Sequence, residues 1–203
     1  MNPKKRCGWC DEDSELYVHY HDTEWGVPLT DDVRLFEMLV LEGMQAGLSW
    51  LTILQKRENF FHALNHFDCR AVAEYDQVKI EELLLNPGII RNRLKIESAV
   101  KNARVVLSLR EEYGSFANYL WQYVGFHPVQ NSYTRMEDVP AQTELSKKIS
   151  KDLKKRGMNF VGPTIIYAFM QATGMVNDHT TECFRYHECG ELANTVKEQI
   201  NNG

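Results

Sequence analysis

The sequence has no apolar stretch long enough to cross a membrane. A spanning helix needs about 20 mainly apolar residues, and no run approaches that length. The basic start MNPKKR is not followed by an apolar segment, so we predict no signal peptide. We therefore expect a cytoplasmic protein without a membrane partner.

The sequence has few cysteines, and their number is odd. The five cysteines are Cys7, Cys10, Cys69, Cys183 and Cys189. An odd count in a chain of 203 residues argues against a disulfide framework. Because cytosolic thiols stay reduced, cysteines that lie near histidines are better interpreted as metal ligands.

Positive charge is not in excess. The 23 Lys and Arg residues are outnumbered by 28 Asp and Glu residues, which gives a net charge of −5. This balance argues against strong non-specific binding of nucleic acid. A local basic cluster nevertheless exists at Lys147, Lys148, Lys151, Lys154, Lys155 and Arg156. Composition alone favours a solvated helix face for this cluster.

Alternating strand patterns, internal repeats and long linkers are nearly absent, and the apolar spacing is helical throughout. Helix starts are predicted at Asp31–Asp32, Ser49, Asp68 and Asp76. Further helices are predicted over 91–112, 115–124, 145–156 and 163–173. We expect an all-α protein of about eight helices, in which residues 1–203 form a single domain of two lobes.

Soft metal ligands occur near both ends of the chain. Cys7 and His21 lie early, and His179 and Cys183 lie one helical turn apart in the stretch NDHTTEC. Together they form a suitable tetrahedral zinc set that would join the termini. Spacing alone does not select these four, since Cys10, His187 and Cys189 are further choices. Ordinary buried cysteines and surface histidines remain the alternative.

Several long ordered blocks resemble one known family. They are CGW at Cys7, YHDTEWGVP at Tyr20, LEGMQAGLSWLTIL at Leu41, GIIRNRLKI at Gly88, LKKRGMNFVGPTI at Leu153 and FMQATGMVNDH at Phe169. The chain is similar, from Arg6 to Cys183, to the bacterial 3-methyladenine DNA glycosylase I family. This resemblance implies a helix-hairpin-helix glycosylase fold with termini joined by one structural zinc ion. It also implies the ligands Cys7, His21, His179 and Cys183, and it leaves Cys10 and Cys189 outside the pattern.

The segment around Gly157 and Gly162 has the features of a hairpin between two helices. Gly157 can end one helix, and Gly162 followed by Pro163 can begin the next. A helix N-terminus suits a phosphate group, so the hairpin is a candidate DNA-backbone contact. A plain corner between two helices is the alternative from this segment alone. With the resemblance, the candidate DNA-binding residues are Gly47, Lys155, Gly162 and Thr164.

Aromatic residues and one carboxylate are candidates for a base pocket. The resemblance assigns Tyr20, Trp25, Glu42 and Trp50 to binding of a flipped base. Glu42 is also the candidate catalytic residue, because it falls in the apolar run LFEMLVLEGMQ, where a carboxylate needs partners. An exposed or ion-paired glutamate is the alternative. The small-residue turn Gln45–Leu48 is predicted to approach the gap that the flipped base leaves.

The implied activity is hydrolytic release of 3-methyladenine from alkylated double-stranded DNA. Related glycosylases carry a catalytic Asp two residues before a His, where this chain has Asn177. A base that is already cationic needs less catalytic help, and no lysine nucleophile is implied, so we expect no strand cleavage. We expect a monomer acting at the bacterial nucleoid. The alternatives are a zinc-stabilised DNA-binding module without activity and a zinc hydrolase.

Overall fold

A computed structural model describes residues 4–202, with side chains placed for residues 4–200. The N-terminal segment for which we predict no signal peptide is thus described only from Lys4 onward. Residues 4–202 contain eleven α-helices: α1 Glu15–Thr23, α2 Asp32–Gln45, α3 Trp50–Ala63, α4 Cys69–Ala73, α5 Gln77–Leu85, α6 Arg93–Tyr113, α7 Phe116–Trp121, α8 Glu144–Lys155, α9 Pro163–Ala172, α10 Arg185–Leu192 and α11 Val196–Asn202. Short 3-10 turns lie at Asn65–Phe67, Gln122–Val124, Met136–Asp138 and Ala193–Thr195. Two short parallel strands, β1 Val129–Gln130 and β2 Val176–Asn177, pair with each other.

The predicted helix starts are confirmed, and each works by side-chain capping. Asp31, Ser49, Asp68 and Asp76 each accept a hydrogen bond from a backbone N–H of the following turn. The long helix α6 begins at Arg93, two residues later than predicted, because Asn92 is its cap. It ends at Gly114, whose φ of 84° lies in the region that favours glycine.

The predicted number of about eight helices is too small, because α1, α10 and α11 also form. Ser14 caps α1 and accepts a hydrogen bond from the N–H of Tyr17. This helix buries only Tyr20 and His21, so it lacks the broad apolar stripe on which a prediction from periodicity depends. The mostly helical architecture itself is confirmed.

Helix α2 lies at the centre of the core. Every residue from 35 to 44 is buried, and the helix packs against α3, α6, α7 and α9. At Gly43 the packing is close, because an added Cβ would lie 3.3 Å from the Cβ of Phe160 in the α8–α9 hairpin. Burial of this part of α2 removes water from the two carboxyl side chains that it carries, Glu37 and Glu42.

Within the described residues, the segment near Lys5 contacts the segment that follows β2. The backbone N–H of Phe184 donates to the carbonyl of Lys5 at 3.0 Å, and the side chains of Lys5 and Glu182 form an ion pair. Among residues 4–202, none of the helices combines the length and apolar character needed to span a bilayer.

Candidate active site and metal centre

Four buried side chains from the two chain ends converge on one point. The nearest ligand atoms of Cys7, His21, His179 and Cys183 all lie within 4.8 Å of one another. Cys7 Sγ is 3.3 Å from His179 Nδ1, and Cys183 Sγ is 3.4 Å from both His179 Nδ1 and His21 Nε2. The structure therefore assembles the four ligands predicted from the sequence, and Cys10, Cys189 and His187 stay outside this group.

The surroundings of the two histidines fit a metal ion. His179 directs Nδ1 into the cluster, and its Nε2 lies 3.0 Å from the carbonyl oxygen of Trp25. His21 directs Nε2 into the cluster, and its Nδ1 lies 2.8 Å from a carboxylate oxygen of Asp22. Outer hydrogen bonds of this kind fix the ring orientation of metal-binding histidines. The hydrogen bond between the two thiols lowers the pKa of Cys183 and raises the pKa of Cys7.

A cavity of about 370 Å³ opens beside this cluster. Its lining is rich in aromatic residues and comprises Trp9, Tyr17, Tyr20, Trp25, Glu42, Gln45, Ser49, Trp50, Met136, Ala168 and Gln171. This volume falls in the range of about 300–1,000 Å³ that is typical of small-molecule sites. A larger groove of about 610 Å³ lies near the start of α2. There, however, the Asp32 carboxylate is already occupied by the backbone N–H groups of Phe116 and Ala117.

Glu42 is a buried carboxyl group that no opposite charge or hydrogen-bond donor among the described residues stabilises. Only 4% of the residue is exposed, and desolvation raises its pKa to about 8. Its Oε2 has no hydrogen-bond partner among the described residues. A buried carboxyl in this state costs free energy, which partners supplied by a ligand would offset.

Two indole N–H groups in the same cavity are also unpaired. Nε1 of Trp9 and Nε1 of Trp50 are buried without a partner in the described part of the chain. The Trp50 N–H lies near the Tyr20 hydroxyl, but it does not reach hydrogen-bond geometry. Since most buried polar atoms in proteins are satisfied, three unpaired atoms on residues that line one cavity suit a site for a polar ligand.

The aromatic side chains enclose the cavity at angles. The rings of Tyr20 and Trp50 are 5.4 Å apart, and those of Trp9 and Trp25 are 5.1 Å apart in an edge-to-face arrangement. The metal-type cluster supports one wall, because the ring of His179 packs against that of Trp25 at 4.6 Å. The position of this wall therefore depends on the junction between the chain ends.

The α8–α9 hairpin presents an uncapped helix start. Gly157 adopts a φ of 104°, and α9 begins at Pro163 after Gly162, with no side-chain cap. Lys155 and Thr164 are exposed on this face. Asn102 fixes the loop from behind, since its side chain exchanges two hydrogen bonds of 2.9 Å with the backbone of Asn159.

The sequence comparisons place these features in a family. The family model described as methyladenine glycosylase matches residues 9–186. The chain is also 47% identical over 182 residues to DNA-3-methyladenine glycosylase 1 of Escherichia coli (strain K12), covering 90% of this chain and 97% of that protein.

This chain belongs to the methyladenine glycosylase family. DNA-3-methyladenine glycosylase of Haemophilus influenzae (strain ATCC 51907 / DSM 11121 / KW20 / Rd) is 44% identical over 178 residues, covering 88% of this chain and 96% of that protein. A solved variant of 3-methyladenine DNA glycosylase I in complex with 3-methyladenine matches with a TM-score of 0.86 at 36% identity. That match covers 91% of this chain and 97% of the solved one.

Within this chain, Tyr20, Trp25, Glu42 and Trp50 all line one cavity, and their binding of a flipped base stays a prediction. Gly47, Lys155, Gly162 and Thr164 lie on two other segments, the α2–α3 turn and the hairpin. Sequence reasoning missed Trp9, although it lies inside the CGW block beside the ligand Cys7. It also missed Tyr17 and Gln171, which carry no distinguishing pattern before the fold is known.

Neither Asn177 nor its neighbour Asp178 lines the cavity. Asn177 is 1% exposed, and its amide donates to Gln130 Oε1 and to the carbonyl of Tyr186. Asp178 is also 1% exposed and accepts hydrogen bonds from three side chains. Both have structural partners, which leaves Glu42 as the carboxyl group facing the cavity.

Proposed function

We propose that this chain is a DNA-3-methyladenine glycosylase that hydrolyses the N-glycosidic bond of 3-methyladenine in alkylated DNA. The enzyme is a hydrolase of N-glycosyl bonds that releases the free base and leaves an abasic site. The family membership and the identity to named glycosylases support this activity. We infer a single catalytic domain of two lobes that acts as a monomer on double-stranded DNA.

One observation carries the proposal at the level of the site. Glu42 Oε2 and the indole nitrogens of Trp9 and Trp50 are orphaned in one aromatic cavity. A flipped purine supplies both faces for stacking and edge atoms for hydrogen bonding. A 3-methylated adenine in DNA also carries positive charge, which an ionised Glu42 complements.

The chemistry needs little from the protein beyond binding and charge. The bond between the sugar C1′ and the base nitrogen breaks, and its electron pair neutralises the departing cationic base. The developing positive charge on the sugar is stabilised electrostatically by the ionised Glu42. A water oxygen then bonds to C1′ and loses its proton to solvent. No lysine adduct forms, so the DNA strand stays intact.

Two segments hold the DNA in this proposal. The start of α9, where no side chain caps the backbone near Gly162 and Thr164, binds a backbone phosphate, and Lys155 adds charge. The turn at Gly47 enters the space that the flipped nucleotide vacates. Gly47 has a φ of 79°, and no atom lies within 4 Å of a Cβ added there, so the turn protrudes freely.

We propose that one zinc ion binds Cys7, His21, His179 and Cys183. The burial, spacing and donor chemistry of the four side chains suit a tetrahedral site. Zinc there would supply a crosslink between the chain ends. Four protein ligands leave no open position for water, which disfavours a zinc hydrolase.

Release of free 3-methyladenine from methylated duplex DNA, followed by chromatography, tests the activity. Wild-type protein should release the base and leave abasic sites, and Glu42→Gln should release it at least about tenfold more slowly. Binding of DNA without any base release would instead identify a zinc-stabilised DNA-binding module.

A further inference from the structure

Asp178 is the centre of a buried hydrogen-bond network behind the cavity. Its carboxylate accepts from Asn131 Nδ2 at 2.6 Å, from the Tyr167 hydroxyl at 2.6 Å and from Gln171 Nε2 at 2.8 Å. Because Asp178 is the acceptor in all three hydrogen bonds, it fixes which end of the neighbouring amide faces it. Gln171 therefore directs its NH₂ group toward Asp178.

The amide oxygen of Gln171 is left facing the other way. The oxygen and nitrogen of a planar amide diverge from the same carbon, so the oxygen points away from the group that accepts from the nitrogen. Gln171 lines the cavity that contains Glu42. No hydrogen bond within residues 4–200 uses Gln171 Oε1, whereas Nε2 is bound. The hydrogen bond to Asp178 thus fixes the amide of a cavity-lining residue and leaves its oxygen free to accept.

Two acceptors then line the cavity from adjacent helices. Glu42 lies on α2 and Gln171 on α9, and these helices pack against each other. The exocyclic amine of adenine has two N–H donors, so one carboxylate leaves a donor for a second acceptor. A 6-oxopurine presents a carbonyl oxygen at the same position, and a fixed acceptor repels it.

We propose that Gln171 is a specificity-determining residue whose Oε1 accepts a hydrogen bond from the exocyclic amine of the bound base. This inference deepens the proposed function and rests on it. Asp178 acts through Gln171 as a positioning residue, since it prevents the amide from rotating.

The test compares two free bases, 3-methyladenine and 3-methylhypoxanthine, by quenching of tryptophan fluorescence. Wild-type protein should bind 3-methyladenine at least about tenfold more tightly. Gln171→Met keeps the side-chain length but removes the acceptor. It should weaken 3-methyladenine binding about five- to twentyfold while 3-methylhypoxanthine binding stays unchanged or tightens.

Tyr167→Phe is the matched control, because it removes a different donor to Asp178 and leaves Gln171 in place. It should keep the wild-type ratio of the two affinities. An equal loss for both bases in Gln171→Met, or an unchanged ratio, would overturn the proposal. Equal binding of both bases by the wild type would also overturn it, even if the variant does not fold. Failure of the wild type to release 3-methyladenine from methylated DNA would instead refute the proposed function.

Discussion

Glu42 shows how one residue can oppose the fold that surrounds it. Burial of α2 stabilises the core through apolar side chains, yet the same burial removes water from this carboxyl group. The apolar run around Glu42 made the conflict visible in the sequence. Trp9 and Gln171 produced no comparable conflict, because an aromatic or an amide side chain is compatible with either a core or a surface position.

The pH dependence of excision should report the ionisation of Glu42. Desolvation raises its pKa to about 8, so the carboxylate that complements a cationic base forms as the pH rises through that value. We expect kcat/KM to increase between about pH 6 and 9, since this parameter follows groups of the free enzyme. Steady-state excision from methylated DNA at concentrations below KM, corrected for spontaneous depurination, measures the profile. Glu42→Gln should lack this rise, and an identical rise in that variant would assign it to another group.

The raised pKa of Glu42 should also make the stability of the folded protein depend on pH. The folded-state pKa of Glu42 lies above its ordinary value of 4.5, so the folded protein binds more protons between the two values. The contribution of Glu42 to stability is therefore full below about pH 4.5 and declines as the pH rises to about 8. We expect Glu42→Gln to melt at a higher temperature than wild type at pH 9 and at a similar temperature near pH 5. Thermal unfolding followed by circular dichroism checks this, and a lower melting temperature at pH 9 contradicts it.

At the scale of helices and turns, capping residues gave the most reliable predictions of where helices begin. Asp31, Ser49 and Asp76 act through local hydrogen bonds, so their effect needs no knowledge of the fold. Helix α1 was missed because its aromatic side chains face a cavity and a ligand cluster. The contact between Gly43 and Phe160 joins elements distant in sequence, and spacing patterns carry no information about it.

The turn between α2 and α3 is held by a buried lysine. Lys95 is 6% exposed, and its Nζ donates to the carbonyl oxygens of Met44 at 2.8 Å and Ala46 at 2.7 Å. A cation at this place also complements the negative end of the α2 dipole. Lys95 therefore anchors the segment that carries Gly47, which we place in the DNA.

Lys95→Met should loosen this turn. Two carbonyl groups lose their partner, which costs about 1–3 kcal/mol where they are buried. We expect faster amide exchange at residues 46–49 and a raised KM for methylated DNA, with binding of free 3-methyladenine less affected. Hydrogen exchange and steady-state excision measure these effects. Lys197→Met, on the exposed face of α11, is the control and should change neither. If both variants behave alike, Lys95 does not anchor the turn.

At the scale of the whole molecule, the sequence predicts that segments near the two chain ends come together at a metal site. It does not predict which other parts of the protein depend on that junction. Two ligand pairs at opposite ends could be proposed from chemistry alone, whereas spacing left Cys10 and Cys189 as alternatives. The fold separates them, since Cys7, His21, His179 and Cys183 alone converge in the described residues. It also shows that His179 contacts Trp25 through both its ring and a hydrogen bond, so the junction supports the cavity.

Loss of one proposed zinc ligand should therefore affect both stability and the base site. Cys183→Ser weakens the tetrahedral set and releases the contacts that hold Trp25. We expect a lower zinc content, a melting temperature reduced by several degrees and weaker quenching of tryptophan fluorescence by 3-methyladenine. Atomic absorption, thermal unfolding and fluorescence titration measure the three effects. Cys189→Ser is the matched control, because this cysteine is equally buried but stands outside the cluster, so its zinc content should equal that of the wild type. Full zinc stoichiometry in Cys183→Ser, together with a loss in Cys189→Ser, would show that the ion selects a different set of ligands.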